Sequence, residues 1–96
     1  MTLNTKQKSY LRGLAHKLNP VVMIGNAGVT EGVINEIQSS LNHHELIKVR
    51  ISGMDRPERM TTIEAICGQT GGELVTTIGH IAVLYRKAEK PRITLP

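Results

Sequence analysis

The sequence predicts an α/β fold with the element order α-β-α-β-α-β-β and a four-stranded mixed sheet. Three stretches repeat apolar residues at three- and four-residue spacing, four short runs are rich in β-branched residues, and Gly, Pro or capping residues mark most junctions. The first two strands each lead through a helix to another strand, by crossovers long enough to be parallel and right-handed. The last two strands form a hairpin. Leu, Ile and Val make up 26 of the 96 residues, above the roughly 20% below which a charged chain stays disordered. A chain of this length buries only about 60 to 65% of the surface its unfolded form exposes, so its function is to be sought on its surface.

Asn4 to Leu18 reads as the first helix, with Leu11, Leu14, Ala15 and Leu18 as its apolar stripe and Leu3 and Tyr10 flanking it. Asn4 is its N-cap, Gln7 stands three residues later, and Asn19-Pro20 ends it. Val21 to Ile24 is a short apolar run typical of a strand covered on both faces, and it stops at Gly25-Asn26-Ala27-Gly28. Thr30 caps the second helix, which buries Val33, Ile34, Ile37 and Leu41; Val29 and Ile34 are placed as a hydrophobic staple.

Glu45 to Ile51 alternates, so Ile47, Val49 and Ile51 face one way while Lys48 and Arg50 make a basic outer face. Asp55 and Glu58 fit a capping box for a third helix, with Pro57 tolerated in its first turn. Ile63, Ala65, Ile66 and Cys67 form the buried side of that helix, and Gly71-Gly72 stops it. Leu74 to Ile78 and Ile81 to Arg86 are the final strands, joined at Gly79-His80. Ala88 to Pro96 has no periodic pattern and reads as a basic tail.

Net charge is +4, and the first eighteen residues carry Lys6, Lys8, Arg12 and Lys17 with no acid, while Arg86, Lys87, Lys90 and Arg92 cluster near the other end. If the fold brings the ends together they make one basic surface, a footprint for a polyanion; otherwise they are two ordinary solvated faces. The single Cys excludes an internal disulfide, and no Cys/His spacing suits a zinc module. No apolar run approaches the roughly 18 residues of a membrane span, and the first residues lack the apolar stretch of a signal peptide. A soluble, cytoplasmic protein is expected.

Gly25 to Gly28 lies between a strand and a helix N-terminus, where backbone N–H groups favour a phosphate, although any tight strand-to-helix turn can use two glycines. It is neither a Walker loop nor a dinucleotide fingerprint. His16, His43, His44 and His80 have no metal-pair spacing, Cys67 falls in an apolar pattern, and Asp55 and Glu58 are explained as caps. No nucleophile, base and oxyanion donor can be assembled from these residues, so no enzyme and no cofactor are expected. With Tyr10 and Tyr85 as the only large aromatic rings, the sheet has no platform for stacking several bases.

Leu11-Arg12-Gly13-Leu14-Ala15-His16, Pro20 to Thr30, His44-Glu45-Leu46-Ile47-Lys48-Val49 and Leu84-Tyr85-Arg86, in this order and spacing, resemble the CRM domain and, more closely, the stand-alone bacterial YhbY family. The resemblance implies a fold similar to the C-terminal domain of translation initiation factor 3, with residues 1–87 as a single RNA-binding domain and 88–96 as its tail. It also implies RNA binding without catalysis and association with precursors of the large ribosomal subunit, with no membrane or small-molecule partner. The family's GxxG loop falls on Gly25, Asn26, Ala27 and Gly28; its variable pair is uncharged here, which leaves Lys6, Lys8, Arg12, Lys48, Arg50, Arg86 and Lys87 to attract the RNA. A reading of a different class is a protein-interaction module whose basic surface meets an acidic ribosome-associated or translation-factor partner.

Overall fold

Asn4 opens the first helix with a reciprocal pair of contacts: its Oδ1 accepts from the Gln7 N–H at 2.8 Å, and Gln7 Oε1 accepts from the Asn4 N–H at 3.1 Å. The computed structural model describes residues 2–96 and gives this helix, α1, as Thr5–Ala15. It ends before the Leu18 that the spacing predicts. Pro20 disfavours helical dihedrals at Asn19, and the chain turns instead, with Leu18 N–H donating to Ala15 O at 2.9 Å. Leu11 and Ala15 are buried as expected, whereas Leu14, Leu18 and Tyr10 remain exposed.

The first strand, β1, is Pro20–Ile24, and α2 is Glu31–His44, capped by Thr30 Oγ1, which accepts from Val33 N–H at 3.1 Å. Glu45 does not start the next strand as predicted: it is the C-cap of α2, fully buried, with φ 63°. The second strand, β2, is Leu46–Ile51. Asp55 Oδ1 accepts from Glu58 N–H at 2.9 Å and opens α3, Arg56–Thr70. Its buried side holds Ile63, Ile66 and Thr70; Ala65, expected inside, is exposed because it lies off that stripe. The hairpin strands are β3, Glu73–Ile78, and β4, Ile81–Tyr85.

The sheet order is β1-β2-β4-β3, with β1 and β2 parallel and the other two pairings antiparallel. The second crossover therefore skips one position, and β4 fills the gap between β2 and β3. One face of the sheet packs Val22, Ile24, Ile47, Val49, Ile51 and Leu84 against α2 and α3, through Ile37, Leu41, Ile63 and Ile66. On the other face Leu46, Val75, Val83 and Tyr85 pack against Leu3, Leu11 and Ala15, joined by Ile93 and Leu95 of the tail. Gln7 Nε2 donates to Pro96 O at 3.3 Å, so the two basic ends of the chain do meet on this face.

Strand β2 lies inside the sheet, between β1 and β4. Leu46, Ile47, Val49 and Ile51 are all buried, each contributing about 1.5 to 3 kcal/mol on burial. Arg50 is the exposed exception and stands on that fixed element.

Candidate nucleic-acid interface

Parallel pairing places the C-terminal ends of β1 and β2 side by side, and with them the two segments that follow. Ser52 N–H donates to Ile24 O at 2.9 Å, and the Gly25–Gly28 segment closes as a turn in which Gly28 N–H donates to Gly25 O at 3.0 Å. Gly28 has φ 71°, in the left-handed region that other residues adopt only under strain. Gly53, with φ 76°, lies so close to the turn that an added Cβ would stand 2.7 Å from Asn26 Oδ1. Gly25 is different: its φ is not in the left-handed region, and an added Cβ would meet nothing within 4 Å. The fold does not require glycine there. The N-terminus of α2 behind the turn already has Thr30 on one N–H and Glu31 in its first turn, so the bare backbone of the turn, more than the helix dipole, is what faces solvent.

Arginines stand on both faces of the sheet at this end. Arg50 is paired between Met23 of β1 and Ile81 of β4, with half-buried Lys48 two residues earlier on the same face. On the opposite face, Arg56, Arg59 and His80 line a cleft of about 240 Å³ with half-buried Met60 and Ile81, over the buried Ile51, Ile63 and Ala82. Arg59 Nη1 donates to Met54 O at 2.9 Å and lies 3.3 Å from His80 Nδ1; the His80 carbonyl accepts from Ile51 N–H at 2.8 Å. Sequence reasoning missed these three residues because Asp55 and Glu58 cancel the local charge. The signal was the three-residue spacing of Arg56 and Arg59, which puts both on one helix face and Glu58 on another.

Other predicted site residues lie elsewhere. Arg86 is engaged internally: its guanidinium donates to Gln38 Oε1, to Thr70 O at 2.6 Å, to Gln38 O at 3.3 Å and to Asn42 Oδ1 at 2.6 Å. It thereby ties the C-terminal halves of α2 and α3 together and satisfies one of the last carbonyls of α3. Lys87 follows it, and Lys6 stands near Leu3, whose N–H donates to Glu73 Oε2 at 2.6 Å, at the start of β3 and away from the glycine turn. Helical spacing puts Lys8 and Arg12 on one flank of α1, beside buried Leu11.

Tyr85 is 3% exposed; burial, with the Glu45 carboxylate adding to it, pushes its hydroxyl pKa up, and its ring is not available to stack a base. Burial likewise raises the Cys67 thiol, helped by Glu73. Burial alone would raise the Glu45 carboxyl, but the N–H groups of Ala88, Arg92 and Ile93 and the charge of Arg92 outweigh it and hold it below its ordinary value. Among the described residues no three His, Cys, Asp or Glu side chains gather as a metal site, and no helix is long and apolar enough to cross a membrane.

The family profile described as the CRS1 / YhbY (CRM) domain matches residues 3–86. A Haemophilus influenzae protein named RNA-binding protein is 58% identical over 95 residues, covering 99% of this chain and 96% of that one. A Pseudomonas aeruginosa protein, named a probable RNA-binding protein, is 39% identical over 95 residues, covering 99% of this chain and 91% of that one. The solution structure of a Staphylococcus aureus protein matches with a TM-score of 0.86 at 38% identity, covering 99% of this chain and 100% of that one.

Proposed function

The chain belongs to the CRS1 / YhbY (CRM) domain family, and from that premise we propose that it is a non-catalytic, cytoplasmic RNA-binding protein acting on precursors of the large ribosomal subunit. The observation that carries the RNA reading is the open glycine turn at the end of the sheet where Arg50 stands on one face and Arg56 and Arg59 line a cleft on the other. A bare Cα at Gly25 lets a phosphodiester backbone come into contact, and guanidinium groups supply charge-assisted, forked hydrogen bonds to phosphate. The names of the relatives support RNA as the partner; the ribosomal assignment rests on the family resemblance. Lys8, Arg12 and Lys48 extend the positive field along the α1 face, while Lys6 and Lys87 act from the far end. Arg86 serves the fold.

Binding through phosphates makes affinity depend on salt. With 4 to 6 contacts assumed, log K for a large-subunit ribosomal RNA fragment falls by roughly 3 to 5 per decade of salt, as measured by fluorescence anisotropy. Affinity indifferent to salt would sink the reading. Ultraviolet crosslinking in growing cells is expected to give a sharp peak on large-subunit RNA. Crosslinks scattered over abundant RNAs would remove the assembly role, and a partner retained after RNA digestion would favour the protein-interaction module.

A further inference from the structure

We infer that the cleft between the start of α3 and the β3–β4 hairpin seats one unpaired nucleotide, with its phosphate on Arg56 and Arg59 and its base on the apolar floor. This rests on the RNA-binding reading and narrows it to a strand with a base free of its pairing partner. The cleft of about 240 Å³ combines the half-buried apolar side chains of Met60 and Ile81, over the buried Ile51, Ile63 and Ala82, with Arg56, Arg59 and His80 at the edge, and no carboxylate lines it. Free phosphate would leave the apolar floor uncovered. A paired base keeps its faces in the helical stack, so a duplex cannot fill the cleft either. A flat ring carrying a phosphate matches both parts.

Arg59 is positioned for such a ligand. Its contacts to Met54 O and His80 both engage Nη1, which among the described residues leaves Nη2 and Nε to fork onto a phosphate. Neither partner is an anion, so the charge is aimed without being neutralised. The cleft also continues the glycine rim, since Met54 follows Gly53 and Gly53 packs on Asn26. A strand held at the turn thus has the cleft along its path.

The test uses the whole chain with two RNA hairpins of equal length, one fully paired and one with a single bulged nucleotide, compared by anisotropy. The wild-type protein is expected to prefer the bulged hairpin by about tenfold. Thr77 lines the cleft and is exposed, so Thr77→Leu fills it without changing charge; it should abolish the preference and leave affinity for the paired hairpin unchanged. The double variant Arg56→Gln/Arg59→Gln should weaken binding to both hairpins, and to the bulged one more. Equal wild-type affinity for the two hairpins, or a preference that survives in T77L, overturns the inference while RNA binding stands. If neither hairpin nor ribosomal RNA binds, the inference falls with the function it rests on. T77L decides even if the arginine variants unfold, because its side chain lies outside the core.

Discussion

Gly25 and Gly53 lie in the same rim, yet a methyl group added to each would meet different surroundings. At Gly53 it would stand 2.7 Å from Asn26 Oδ1, on a backbone with φ 76°. Gly53→Ala is therefore expected to cost about 2 kcal/mol in a urea titration and to weaken RNA binding in parallel by dislodging Asn26. At Gly25 the space is open, so Gly25→Leu should change stability by less than about 0.5 kcal/mol and weaken RNA binding about tenfold. Wild-type affinity in G25L would remove the turn from the interface. The sequence marked the two glycines of the motif alike and passed over Gly53, because the contact between Asn26 and Gly53 exists only once β1 and β2 pair.

Helices and strands were legible where their causes are local. Asn4 with Gln7, Thr30 with Val33 and Asp55 with Glu58 are caps formed within one turn of the chain, and the alternation in β2 follows from strand geometry alone. The role of Arg86 was not legible, since it depends on what the side chain meets after folding. An arginine beside a lysine near a basic tail resembles a phosphate contact; in the structure its donors are taken by Gln38, Asn42 and Thr70. Arg86→Gln should thus lower stability by about 1.5 to 3 kcal/mol and leave the salt slope of RNA binding unchanged. Arg50→Gln should do the opposite, with stability preserved and the slope reduced by about 1. A slope that drops in R86Q with unaltered stability would return Arg86 to the interface.

At the scale of the whole molecule, the order of elements followed from the sequence but the order of strands did not, because nothing local specifies that the hairpin inserts β4 beside β2. The tail was opaque for a related reason: it has no periodicity, and its anchor lies far away in the chain. Glu45, at a φ of 63° that favours glycine, accepts from Ala88 N–H at 2.9 Å, from Ile93 N–H at 2.9 Å and from Arg92 N–H. These donors hold Ile93 and Leu95 over the face that α1 shares, so one carboxylate links the two ends of the chain. Its pKa in the folded protein lies below the ordinary 4.5, so the unfolded chain binds this proton more readily than the folded one. The carboxylate's contribution is then complete above the unfolded value and disappears as pH falls through the lower folded value. Glu45→Gln should cost about 2 to 3 kcal/mol at pH 7 and speed hydrogen exchange at Ala88, Arg92 and Ile93. The stability gap between wild type and E45Q should narrow as pH drops below about 4.5, since the titration of every other carboxylate cancels in the difference. A gap that stays constant down to pH 3 would show that Glu45 supports the tail by packing alone, without its charge.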